Sequence, residues 1–182
     1  MIPNSIPDEQ SCILLLEKYN TPNHIIMHSR KVWEVGRLIG NKVRGQCEMD
    51  MDLLRASCLL HDIGKYPSIV SGKKYHDVIG EQILLGEGLP SVGSIIVQHV
   101  ILRSDVTLKV AEEHVLFYAD KRVVHDSVVS LDDRFLYLID TYGKTAEAVK
   151  RLMEMKQETK RVEDAIFAMI DFSPEQLTQL IS

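Results

Sequence analysis

The chain has 182 residues, of which 45% are hydrophobic and 26% are charged, so it has ordinary globular composition and enough length for one well-filled core. Its formal net charge of -5 gives no electrostatic support for binding nucleic acid or an anionic membrane, and its apolar runs are far shorter than the roughly 20 residues that span a bilayer. The three scattered cysteines lack CxxC spacing and the N-terminus lacks signal-peptide features, so we expect reduced thiols in a cytoplasmic protein.

The hydrophobic spacing is helical along the whole chain, without an alternating strand pattern of useful length. The predicted helices are, in chain order, 8–19, 22 to about 44, a segment from Asp50 or Asp52 that ends at Gly64, 76–87, 91–102, 112–125, 132–142, 145–156, 159–170 and 174–180. Residues 66–74, rich in Pro, Ser and Gly, are predicted to form a loop. These patterns indicate one all-α domain over residues 1–182, with its core at about 22–143 and the helices of 144–182 packing on it, as part of the core, a lid or a dimer contact.

His61 and Asp62, two residues of types that commonly bind metals, lie at the end of a strongly apolar predicted helix in the sequence LLRASCLLHDIGK. Leu54 and Cys58 precede them at helical spacing, so the pair is expected to face the core. Burial of an unpaired carboxylate costs on the order of several kcal/mol unless another charge neutralises it. A metal ion would do so, which predicts further ligands elsewhere in the chain.

Four more histidines and acids lie on apolar helical faces: His28, His76, His99 and Asp120. A lone inward histidine is more often a hydrogen-bonded core residue, and a lone inward aspartate is more often a cap or an ion-pair partner. Six residues of two ligand types, distributed over four or five helices and all on buried faces, favour a metal site instead. Histidine and carboxylate together suit iron, manganese, cobalt, nickel or zinc. Gly80, in the helix after His76, predicts close approach of another helix or of a bound group.

The order of these residues resembles the HD superfamily of metal-dependent phosphohydrolases, around HDIGK, YHDVIGEQIL and YADKRV and over roughly residues 22–143. The resemblance implies an all-α HD-domain helical bundle with a central metal site. Carried over by position, it implies that a first ion binds His28, His61, Asp62 and Asp120. It also implies that Asp62 bridges to a second ion held by His76 and His99. The cofactor would be two divalent transition-metal ions, with iron or manganese favoured and cobalt, nickel, zinc or magnesium as alternatives.

The same resemblance implies hydrolysis of a phosphoester or phosphoanhydride bond, in a nucleotide or dinucleotide polyphosphate, by metal-activated hydroxide. The catalytic residues would be Asp62, as the bridge, and Lys65, as a phosphate contact. An equally supported interpretation is that Lys65 is a solvated lysine, which is favourable near a helix C-terminus. The segment VILRSD after His99 lacks the GYP sequence of domains that cleave cyclic di-GMP, which disfavours that activity.

Three alternatives stay open: a di-iron oxygenase of the same superfamily, a non-catalytic nucleotide-binding domain, and a mononuclear site in which His76 and His99 only support the ligands. The predicted partner is a small phosphate ester, without nucleic acid or membrane, and a homodimer is left open. His114 and His125 are interpreted as surface histidines, and Arg122 as an ion-pair or rim residue that points roughly away from Asp120.

Overall fold

In a computed structural model, which describes residues 5–181, the chain folds as a helical bundle with one small hairpin. The first helices are α1 (Glu9–Lys18), α2 (Asn23–Val43), α3 (Met51–Leu60), α4 (Lys65–Ser71), α5 (His76–Gly86), α6 (Pro90–Ile96) and α7 (Glu112–Asp120). After the hairpin of β1 (Val123–Val124) and β2 (Ser127–Val128) come α8 (Leu131–Tyr142), α9 (Ala146–Phe167), a 3-10 turn (Pro174–Gln176) and α10 (Leu177–Leu180). The predicted all-α class is confirmed. Within residues 5–181, no helix is both long and apolar enough to cross a membrane.

Helices α2, α3 and α7 pack against one another and form the centre of the bundle. The apolar face of α2 is fully buried at Val32, Val35 and Ile39, as its helical spacing predicts. Helix α3 begins after Asp50, whose carboxylate accepts hydrogen bonds from the backbone N–H groups of residues 52 and 53. Because all three helices are buried on the faces that meet, a polar residue on one of these faces is brought close to the others.

The loop predicted for residues 66–74 is wrong, because residues 65–71 form α4. Pro67 is compatible with this helix since it lies in the first turn, where a backbone N–H has no partner within the helix. The helix ends at Gly72, whose φ of 67° is the left-handed conformation that glycine adopts without a steric penalty. Helix α3 ends before His61, so residues 61–64 form turns between α3 and α4.

Several helix boundaries in the second half of the chain also differ from the prediction. The predicted helices 145–156 and 159–170 are replaced by the single helix α9, which ends at Phe167 and in which the buried Thr159 hydroxyl donates to the Met155 carbonyl (2.7 Å). The hydroxyl is thereby satisfied inside the helix, so this threonine does not interrupt it. The helix predicted for 112–125 ends at Asp120 instead, and His125 with Asp126 forms the turn of the β1–β2 hairpin.

Helices α8 and α9 pack together, and α9 also contacts α7. Arg122 is fully buried and joins these parts, since its guanidinium donates to the carbonyl oxygens of Val129 (2.7 Å) and Pro174 (3.0 Å) and to the Tyr118 hydroxyl. The Tyr118 hydroxyl donates in turn to Glu163 of α9 (2.6 Å). Arg122 thus binds the C-terminal part of the chain rather than Asp120.

Candidate metal centre

The bundle brings all six of the predicted ligand residues to one place. His28 lies in α2, His61 and Asp62 follow α3, His76 begins α5, His99 follows α6, and Asp120 ends α7. Five of these residues are at most 8% exposed, and His76 is half-buried. The cluster is therefore built from segments far apart in sequence, and it is held by the central packing of the bundle.

Asp62 is shared by two groups of side chains. One group is His28, His61 and Asp62, and the other is Asp62, His76 and His99; in each group the ligand atoms lie within 4.8 Å of one another. Asp120 borders the first group, because its Oδ1 atom lies 3.1 Å from His28 Nε2 and 3.7 Å from His61 Nε2. A carboxylate has two oxygens and can serve two ions at once.

Three of the histidines are oriented by backbone carbonyl groups. The Nδ1 atoms of His28, His61 and His99 lie 2.9, 2.9 and 2.6 Å from the carbonyl oxygens of His125, Cys58 and Ile96. A carbonyl only accepts, so each Nδ1 carries a hydrogen, and the neutral ring would offer the lone pair of its Nε2 to an ion. Among the described residues, His61 Nε2 is buried without a hydrogen-bond partner. Metal-binding histidines have this orientation, so the donor set fits an ion.

In the second group, two ring nitrogens converge on one carboxylate oxygen. His76 Nε2 lies 3.0 Å from His99 Nε2 and 3.3 Å from Asp62 Oδ1, and His99 Nε2 lies 3.7 Å from the same oxygen. Ligand atoms around a tetrahedral ion with bonds of about 2 Å are roughly 3.3 Å apart. The three side chains are thus spaced as ligands of one ion.

Three cations face the two carboxylates. Lys65 Nζ lies 2.8 Å from Asp62 Oδ2, Lys121 Nζ lies 2.7 Å from Asp120 Oδ2, and Arg134 Nη2 lies 3.5 Å from Asp120 Oδ1. Lys121 and Arg134 were not predicted from the sequence as residues of the site. The only signal for Lys121 was its position next to Asp120, and Arg134 carried none, since it lies on a different helix.

The pKa shifts describe a cluster of two ionised carboxylates. Burial alone would raise the pKa of Asp62, but His61 and Lys65 hold it well below its usual range. The pKa of Asp120 is likewise held low against burial, mainly by Lys121. Burial lowers the pKa of His99 well below its usual value, so this ring is neutral. For His61, burial also lowers the pKa, but Asp62 and the other carboxylate raise it above the ordinary value.

The cluster forms the floor of a cavity of about 660 Å³ that opens to solvent. Five of the six predicted ligands line the cavity, and His61 lies behind them. Lys65 and Arg134 also line it, together with residues of α8 and α9. A bound ion would therefore be accessible to a ligand that enters from solvent.

The interpretation of His114 as a surface residue is wrong. It is 1% exposed, and its ring nitrogens contact the Ser104 hydroxyl and the backbone N–H of Ala111. These contacts fix the loop before α7, which sequence spacing did not show. His125 is exposed as predicted, but it lines the cavity, and its carbonyl orients His28.

A family model described as "HD domain" matches residues 25–178. The chain belongs to the HD domain family. The match extends beyond about residue 143, where the predicted core ended, and includes α8, α9 and the start of α10. HD domains usually bind divalent metals, and this one has His/Asp groups that could hold a metal ion.

Two curated relatives of this HD domain are named tRNA (cytidine(56)-2′-O)-methyltransferase. The relative from Thermoplasma volcanium is 31% identical over 166 residues, which covers 82% of this chain and 46% of the relative. The relative from Picrophilus torridus is 24% identical over 173 residues, which covers 86% of this chain and 48% of the relative. The chain thus spans about half the length of the curated relatives it matches. No solved structure matches it.

These names contradict the predicted function. Both relatives are named as RNA methyltransferases, so the prediction of a metal-dependent phosphohydrolase is wrong. The predicted partner set, a small phosphate ester without nucleic acid, is wrong for the same reason. The physical error was to use net charge, a property of the whole molecule, to exclude nucleic acid, because net charge does not show how cations are distributed locally.

Proposed function

We propose that this chain is a metal-binding domain that acts on tRNA, as the metal-holding unit of a tRNA 2′-O-methylation system. One observation carries the proposal: a carboxylate shared by two histidine groups lies at the floor of a cavity lined by cations. The relatives support tRNA as the ligand, because both are named for methylation of a tRNA ribose and the match to each covers most of this chain.

The proposed cofactor is a pair of divalent metal ions, with iron or manganese favoured over cobalt, nickel, zinc or magnesium. His28, His61, Asp62 and Asp120 would hold one ion, and Asp62, His76 and His99 would hold the other. The donors are nitrogen and oxygen atoms, which suit these metals. Cys58 is not a candidate ligand. Burial raises the pKa of its thiol, and the atom of Cys58 that contacts His61 is the carbonyl oxygen, not the sulfur.

The charge of the site supports a phosphate ligand. Lys65, Lys121 and Arg134 already balance the carboxylates of Asp62 and Asp120. Divalent ions would therefore leave excess positive charge at the floor of the cavity, which a phosphate of the RNA backbone would neutralise. Lys65 is the cation best placed to move from Asp62 to that phosphate, because 37% of its side chain is exposed. A phosphate held there would fix the position of the adjoining ribose.

The proposal is tested by binding of a tRNA transcript to the purified chain in manganese or in chelator, measured by fluorescence anisotropy. We expect binding in manganese that weakens about tenfold or more in chelator and in Asp62→Asn, which lacks the shared carboxylate. Asp164→Asn, an exposed site with 67% of its side chain accessible, is the matched control and should bind as the wild type does. Equal binding with and without metal, or no binding with any metal, would overturn the proposal.

The link to methylation is tested by chemical probing of the riboses in the bound tRNA. We expect metal-dependent protection in the region of cytidine 56, the position in the relatives' names. Protection confined to other regions would contradict the proposed role. Labelled S-adenosylmethionine is included in parallel: methyl transfer by the chain alone would assign it the whole reaction, and binding without transfer is the result that we expect for a metal-holding unit.

A further inference from the structure

The cavity changes character from its floor to its rim. The floor is formed by buried polar residues, among them Asp62, His99 and Lys121. The rim includes half-buried or exposed residues of other chemistry, namely Ile69, Tyr137, Tyr142, Leu152 and Met155, beside the polar His24, Ser68 and His125. A ligand that fills the cavity therefore meets charged groups at one end and aromatic and apolar side chains among polar ones at the other.

Two tyrosines of α8 provide the aromatic part of the rim. Tyr137 is held in place, since its ring centroid is 5.5 Å from that of His125 in an edge-to-face arrangement and 5.8 Å from Arg134 Cζ. Tyr142 is 56% exposed, so much of its ring is available to a ligand. Exposed aromatic rings near a cationic site are the usual elements for stacking unpaired bases of RNA.

The volume of the cavity limits the size of a ligand that it can enclose. Cavities of about 300–1,000 Å³ hold one drug-sized molecule, and this one measures about 660 Å³. One nucleotide with its phosphate is of that size, whereas a base pair within a helix is much wider and is joined to stacked neighbours. A nucleotide of tRNA could thus enter only when it is unpaired and turned out of its stack.

From these observations we infer that the cavity takes a single unpaired nucleotide of RNA, with its phosphate at the floor and its base against Tyr142 and Tyr137. The inference rests on the proposed function and adds which part of the RNA is recognised. It assigns the rim as a base-binding subsite, separate from the residues that would hold metal. The subsite tolerates different bases, because stacking uses the face that all bases share.

The test uses a five-nucleotide RNA with a central 2-aminopurine, single-stranded or in a duplex, with the metal-loaded chain in manganese. We expect the single strand to bind about tenfold tighter than the duplex and its fluorescence to be quenched by stacking. Tyr142→Ala should weaken binding of the single strand about tenfold, and an abasic central nucleotide should do the same.

Tyr142→Phe keeps the ring and should bind within about twofold of the wild type. Tyr75→Ala, a 72% exposed tyrosine outside the cavity lining, is the matched control.

The outcomes separate this inference from the proposed function. If the duplex binds as tightly as the single strand, or if Tyr142→Ala binds as the wild type does, the inference is overturned. Metal-dependent binding of whole tRNA in that case would leave the proposed function intact. If the single strand stacks on Tyr142 equally well in chelator, the subsite stands and the proposed metal-dependent function fails.

Discussion

Lys121 is a buried cation that joins the two ligand groups of the candidate metal centre. Its Nζ atom lies 2.7 Å from Asp120 Oδ2, donates to the His99 carbonyl (2.7 Å) and lies 4.7 Å from the centroid of the Phe117 ring. Burial lowers the pKa of Lys121, and the charge of Asp120 opposes that shift. A lysine that is 3% exposed needs such partners, because an unpaired buried charge is strongly unfavourable.

Lys121→Met should destabilise the metal-free protein by about 3 kcal/mol, because it leaves Asp120 buried without its main cation. Urea unfolding in chelator measures this change. Lys109→Met, at a lysine whose side chain is 54% exposed, should change stability by less than about 0.5 kcal/mol. Adding Asp120→Asn to Lys121→Met should cost less than the sum of the two single changes, as expected for charges in contact. Equal effects of the two lysine variants would contradict this account.

The turn between α3 and α4 is packed against the start of α5, and this contact sets where Asp62 and His76 meet. A Cβ atom on Gly64 would lie 2.1 Å from the His76 carbonyl oxygen and 2.5 Å from the Gly80 backbone nitrogen. A Cβ atom on Gly80 would in turn lie 3.0 Å from Ile96 Cδ1. The close approach of another element to Gly80, predicted from its position inside a helix, is therefore observed.

Gly64→Ala should separate the turn from α5 and destabilise the protein by about 3 kcal/mol, because the added methyl group meets backbone atoms that cannot rotate away. Gly86→Ala, at the other end of α5, is the matched control, since a Cβ atom there would have no heavy atom within 4 Å. That variant should be neutral or more stable by up to about 1 kcal/mol. Thermal and urea unfolding of the two variants measure the difference, and an equal response of both would show that the turn is free to move.

At the scale of the whole molecule, the candidate metal centre would connect α2, the end of α3, α5, the turn after α6 and α7. An ion that binds only the folded chain would stabilise it by about 2.7 kcal/mol at a free concentration one hundred times its dissociation constant. For a chain of this size the melting temperature should rise by about 5–10 °C. Calorimetry in manganese and in chelator measures the rise, which should be absent in Asp62→Asn and retained in Asp164→Asn. A rise of equal size in both variants would place the ion elsewhere.

The sequence by itself determined the helical class, the family and the inward-facing histidines and acids. The class and the inward-facing residues follow from the helical repeat of 3.6 residues, because a polar residue such as His28 or Asp120 on an apolar stripe is visible without coordinates. The family was indicated by the resemblance of the segments HDIGK, YHDVIGEQIL and YADKRV. The same reasoning could not give the function, since one set of ligands on one fold can serve different chemistry. The relatives named for tRNA methylation overturned the phosphohydrolase prediction for that reason.

Only the tertiary structure decided which groups surround the ligands and what the cavity can admit. Lys121 and Arg134 reach Asp120 through the packing of α7 and α8, and Tyr142 reaches the rim from the end of α8. Periodicity assigns a residue to the inside or outside of its own helix, but the distance between side chains on different helices depends on how those helices cross. For that reason the sequence identified His61-Asp62 and their four companions, and the family resemblance implied that Asp62 is shared, whereas the cations at Asp120 and the aromatic rim became apparent only in three dimensions.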